Sequence, residues 1–109
     1  DAAAEEFQYI LSREPCNDTA HTNLAMILIH RGKLRDAEGH LGEALRVQPR
    51  SVQALNNFGL LRMGQGRVEE AIASFRQAHE LAPGDTVIES NLRVARDKQK
   101  NEISERGSI

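Results

Sequence analysis

Three asparagines, Asn23, Asn57 and Asn91, stand 34 residues apart. Their type and spacing could do directed chemistry. A primary amide donates and accepts at once. A row of amides can therefore pair with the N–H and C=O groups of an extended peptide without reading its side chains. The other polar groups are less organised. His21, His30, His40 and His79 are spread over three helical segments, and no pair has the i, i+4 spacing of a helical metal site. No metal site is expected. Cys16 follows Pro15 in a turn with no designated base, which reads as an inert thiol. Gly64-x-Gly66 follows a helical pattern rather than a strand, so it fails the context for dinucleotide binding. Glu69 and Glu70 are neighbours on a helix and point apart. With no Ser/His/Asp grouping and no phosphate loop, the reading is of a non-enzyme that needs no cofactor.

The elements that position the asparagines share their period. Pro15, Pro49 and Pro83 are 34 apart, as are Ala3, Ala37 and Ala71, and Phe7, Leu41 and Phe75. A fixed period in several residue types marks stacked supersecondary units. Residues 1–17 read as the second helix of a truncated unit, with Ala3, Phe7, Ile10 and Leu11 on one apolar face, ended by Pro15. Residues 18–51 form a full unit. Asn17 or Asp18 is its cap, Gly32 ends its first helix, and Gly39 and Gly42 lie in the second helix on its outer face. Residues 52–85 form the next, capped by Ser51, with Gly64 and Gly66 at the turn. Residues 86–105 read as a polar capping helix opened by a Thr86/Glu89 capping box, and 106–109 as a tail. The chain starts mid-unit at Asp1, so a fragment of a longer protein is expected.

Within 52–85, Leu55, Phe58, Gly59, Ala71, Phe75 and Pro83 follow the order L-x2-F-G … A-x3-F … P. This resembles the tetratricopeptide repeat, a 34-residue helix–turn–helix. The departures are His21 in place of Trp, Ala25 in place of Gly, and Arg62 in place of a large apolar residue. His21 is expected to pack as a substitute for Trp. The resemblance implies an all-α, right-handed α-solenoid of antiparallel helix pairs: two full repeats, a half repeat and a C-terminal capping helix. It also implies a concave face lined by the first helices. That face would present Thr22, Asn23, Met26 and Ile29, then Asn56, Asn57, Leu60 and Met63, then Ser90, Asn91, Val94 and Asp97. The asparagine row is similar to that in the repeat arm of O-linked N-acetylglucosamine transferases and in armadillo-type importers. Family members that clamp a chaperone's C-terminal carboxylate use cations, but the matching places hold Thr22, Met26, Asn57, Val87 and Asn91, which supply none.

Composition narrows the partners. Net charge is −2, so nothing favours neutralising nucleic-acid phosphates. The longest apolar run, Leu24 to Ile29, is far short of the roughly 20 residues that span a bilayer. One cysteine leaves no internal disulfide, which fits a reducing compartment such as the cytoplasm. The expected function is a protein-interaction scaffold that binds an extended segment through Asn23, Asn57, Asn91, Met26, Asn56, Leu60, Met63 and Val94. Two alternatives stand beside it. One is self-association as a homodimer or higher oligomer through the uncovered Phe7, Ile10 and Leu11. The other is a substrate-recruiting arm of a larger enzyme.

Overall fold

In the computed structural model, which describes residues 1–107, the regular elements are six α-helices and no strand. They are α1 (Ala2–Arg13), α2 (Asp18–His30), α3 (Leu34–Val47), α4 (Val52–Gly64), α5 (Val68–Leu81) and α6 (Thr86–Gly107). Short polar side chains open several of them. The Ala4 N–H donates to Asp1, that of Ala20 to Asn17, and that of Ala54 to Ser51. Each bond satisfies a donor that the first turn leaves orphaned. Two details differ from the sequence reading. Asp85 caps α6, accepting from Val87 and Ile88, because its carboxylate lies one residue ahead of Thr86 and accepts two N–H groups. The last helix also runs on to Gly107, since nothing between Ser104 and Gly107 breaks the backbone ladder. The rest of the expected tail, residues 108–109, lies outside the described residues.

The helix pairs turn tightly at Gly32 and Gly66, with φ of 76° and 75°. Only glycine takes this left-handed conformation without a Cβ penalty. There Lys33 N–H donates to Leu28 O at 2.9 Å, and Arg67 N–H to Arg62 O at 2.8 Å. These bonds close the ends of α2 and α4.

The packing is layered. Each helix packs on the next, and α4 also touches both α2 and α6. Among the described residues α1, α3 and α5 do not touch one another. One layer is close and the other splayed, so the stack curves with α2, α4 and α6 on its concave side. The molecule is elongated, 53 × 28 × 21 Å.

Small residues let the helices approach. Ala25, Ala37, Leu41, Ala44, Ala54 and Leu61 join α2, α3 and α4 in one apolar cluster. Val68, Ala71, Ile72, Phe75, Leu92 and Ala95 join α5 and α6, with Leu60 and Met63 of α4 packed against them. Leu55, Ala78 and Ile88 form a third cluster. On α1 the buried residue is Ala4, while Ala3 is exposed and Phe7, Ile10 and Leu11 are half-buried. The expected apolar face is rotated by about one residue, because α2 alone packs on α1.

Arg62, the residue out of pattern, is explained by its surroundings. Its guanidinium lies over the Phe58 ring, 4.5 Å from the centroid, and bonds Gln65 at 2.7 Å. It also pairs with Glu38 at 3.3 Å and Glu70 at 3.1 Å. One side chain thus ties α3, α4 and α5. Glu38 is held below the usual carboxylate range by the Gln65 hydrogen bond first and by Arg62.

The glycines of the helices separate two roles. A Cβ on Gly59 would collide with the Phe75 ring, whereas one on Gly42 would meet open space. Gly59→Ala should cost about 1–3 kcal/mol by overpacking. Gly42→Ala should stabilise by up to about 1 kcal/mol through helix propensity. Thermal melts of the two variants check this, and a Gly59→Ala melt at or above the parent's would contradict the close contact.

Candidate functional site

The concave layer does not present the asparagines as an open row. Asn57 is fully buried, and neither its Nδ2 nor its Oδ1 has a hydrogen-bond partner among the described residues. The expectation that it faces a ligand is corrected here. Asn57 sits on the middle helix of the layer, which contacts both α2 and α6. Asn23 and Asn91, on the flanking helices, stay half-buried. Asn91 Nδ2 donates to Asn56 Oδ1 at 3.0 Å, a tie between α4 and α6. Leu60 and Met63, expected in the groove, are half-buried against the α5–α6 cluster. Met26 is also half-buried.

The layer does expose two large apolar side chains. Val87 and Val94 on α6 are 60% and 54% exposed. They lie seven residues apart, on one face of the helix, with Asn91 between them. Val94 was expected in the groove. Val87 entered the sequence reading only as a place where a cation was missing, and the 34-residue register could have placed it beside Val94.

The histidines form a second cluster that sequence spacing does not reveal. His21 Nδ1 lies 2.9 Å from His40 Nδ1, across the α2–α3 pair. His21 Nε2 lies 2.8 Å from the Pro15 carbonyl oxygen. A carbonyl only accepts, so Nε2 carries the proton and donates. His21 Nδ1 then holds a lone pair, and His40 Nδ1–H donates to it. His21 is buried, as expected of a residue standing in for Trp, but it also bridges the α1–α2 turn to α3. Burial first, and then the neighbouring His21, holds the His40 imidazole below its usual range, with Asp36 opposing. Gln8, Asp36 and Glu43 line the same solvent-open cleft, together with Arg31, Lys33 and Arg35. Glu43 is engaged by Arg46 at 3.0 Å. The exposed Cys16 receives only a long contact, 3.7 Å from the same Arg46.

A curved stack of antiparallel helix pairs with a glycine turn in each full unit defines an α-solenoid. The tetratricopeptide-repeat family model matches residues 22–86, and the chain belongs to that family. It is 30% identical over 88 residues to the peptidyl-prolyl cis-trans isomerase FKBP42 of Arabidopsis thaliana, covering 81% of this chain and 23% of that protein. Among solved structures it is similar to an O-GlcNAc transferase mutant of Thermobaculum terrenum. That match has a TM-score of 0.82 and 27% identity, over 84% of this chain and 18% of the other. The first tetratricopeptide domain of human RPAP3 shares the fold, with a TM-score of 0.86 at 20% identity over 93% of this chain and 80% of that one. The chain therefore spans under a quarter of the isomerase and of the transferase. Domains of this family generally mediate protein–protein interaction. Among the described residues no helix is long and apolar enough to cross a membrane.

The His40 environment has a consequence for stability. Its folded pKa lies below the unfolded value, so the unfolded chain takes up the proton first as pH falls. The contribution is complete above the unfolded value near 6.5 and declines as pH drops through it toward the folded value. The melting temperature should be lower at pH 5.5 than at 7.5, and His40→Gln should flatten that difference. An equal slope in the variant would show that other groups set it. The lowered Glu38 and Glu43 carboxyls act only at more acid pH.

Proposed function

We propose that this domain binds an extended peptide segment along the concave surface of α2, α4 and α6. The observation that supports it is the pair of exposed valines, Val87 and Val94, set beside the Asn56–Asn91 amides on that surface. Two large apolar side chains in water on a curved face are a surface that a ligand can cover. Asn23 and Met26 continue the track on α2. Asn57, Leu60 and Met63 form the floor beneath it and give shape rather than direct bonds. The ligand is a mixed-polarity segment, held by apolar contact at the valines and by amide–backbone pairing at Asn23.

Peptides selected from a random display library against the intact chain test this reading. Val94→Asp should weaken the selected peptides roughly tenfold or more, from the loss of buried valine area. Asn57→Leu should leave affinity unchanged. Unchanged binding in both Val94→Asp and Asn23→Ala would place the ligand elsewhere.

A second reading, self-association through α1, is favoured by a different observation. Tyr9 is 62% exposed and Phe7, Ile10 and Leu11 are only half-buried, because α2 alone covers this helix. Sedimentation should then show mass rising with concentration for the parent chain and a constant single-chain mass for Phe7→Glu. A single-chain mass for the parent at hundreds of micromolar would remove this reading.

A further inference from the structure

We infer that the uncovered face of α1 docks in the groove between α5 and α6 of a second copy of this chain, so that copies associate head to tail. The inference rests on the reading of self-association through α1 and supplies the surface that receives this helix.

The two faces are open for the same reason. Helix α1 packs on α2 alone, and α6 packs on α4 and α5 alone. They close opposite ends of a stack 53 Å long, so neither covers the other within one chain. On α1, Ala3, Glu6, Phe7 and Ile10 recur at the i, i+3, i+4, i+7 spacing of one helix face. Ala3 and Glu6 are exposed, and Phe7 and Ile10 are half-buried. On α6, Arg93, Arg96 and Lys100 recur at i, i+3, i+7 and are all exposed. They line a groove against α5 with His79 and Leu92, and Ile103, 55% exposed, extends it. The lengths agree. The 12 residues of α1 run about 18 Å, and the groove from Glu89 to Ile103 runs about 21 Å.

Charge separates this pairing from one between two copies of α1. Glu5, Glu6 and Glu14 are exposed, and among the described residues none of them has an ion pair. Arg13 opposes them but lies over the Tyr9 ring, and Asp1 is already held by Arg31. Two such acidic faces repel. In the α5–α6 groove Arg93, Arg96 and Lys100 outnumber Glu89 and Asp97, and none of the three cations has an ion pair among the described residues. An acidic face therefore meets a basic one, which fixes the choice of partner surface more than it adds affinity.

Arg93 stands where α4 has Gly59, so the incoming helix lies farther out than α5 does on α4. The contact is made by long side chains. An arginine can lie on an aromatic ring, as Arg62 does on Phe58, and Phe7 offers such a ring on α1. Copies joined in this way use unlike surfaces, so each added copy leaves both kinds of face open.

Sedimentation of two charge-reversed variants of the intact chain tests the pairing. One carries Glu6→Lys and Glu14→Lys, the other Arg93→Glu and Arg96→Glu. All four positions are exposed, so both variants should melt close to the parent. At hundreds of micromolar the parent should show a mass above that of one chain, and added salt should lower it. Each variant alone should sediment as a single chain, because its two ends now carry the same sign. An equal mixture of the two should regain a mass like the parent's, since each reversed face then meets an opposite one. If the Arg93→Glu, Arg96→Glu variant associates as the parent does while Phe7→Glu does not, α1 pairs with some other surface. That result sinks this inference and leaves the self-association reading standing. A mixture that stays at single-chain mass also overturns the inference. A parent of single-chain mass removes both.

Discussion

The ring of Phe75 occupies the space that any side chain on residue 59 would need. Gly59 exists for that contact, and Phe75, fully buried, is the largest side chain in the core. Thirty-four residues earlier the same two places hold Ala25 and Leu41, both fully buried. The helix residue is larger by a methyl and its partner smaller than a phenyl ring. The two units fill one inter-helix space with opposite divisions of similar volume, which is how cores tolerate substitution. On α6 the corresponding residue is the exposed Arg93. A further helix could not approach α6 as α5 approaches α4. The step in the pattern is therefore a change in permitted distance between helices.

That distance constraint explains Arg62. With α5 drawn onto α4 at Gly59, the next outward residue on α4 lies over the junction of α3, α4 and α5. An aromatic ring would fill it. Arg62 fills it with its stem and lays its guanidinium on Phe58, and its charge meets Glu38 and Glu70. Both carboxylates remain partly in water, with side chains 41% and 48% exposed, so their desolvation cost is small. The gain is mostly geometric, since one planar group fixes three helices at once.

Much of this was legible in the sequence. Pro15, Pro49 and Pro83 with the matching asparagines and alanines establish the unit, and the glycines at 32 and 66 establish the turns. What escaped was anything decided by a neighbour across the layer. Asn57 has the same type and register as Asn23 and Asn91, yet only Asn57 has helices on both sides, and it is buried. The His21–His40 contact joins residues 19 apart whose counterparts in the next unit are Leu55 and Ser74. No period marks them. Ala3 and Ala4 exchange roles because the contacts of α1 depend on which helix covers it.

The same layer contacts limit how a ligand could be held. Asn91 and Asn56 already satisfy each other, so a peptide that recruits either amide exchanges one hydrogen bond for another. Such an exchange nets close to nothing, because each bond is worth only about 0.5–1.5 kcal/mol against water to begin with. Asn57 has no hydrogen-bond partner among the described residues, so its amide has both donor and acceptor to offer. But α2, α4 and α6 would have to part to reach it, at the expense of the apolar contacts that close the core. On the proposed reading, affinity on this surface comes chiefly from covering Val87 and Val94, with the amides setting register. The asparagine period, read as a ladder of ligand contacts, supplies at Asn91 a tie between helices and at Asn57 a fully buried polar group.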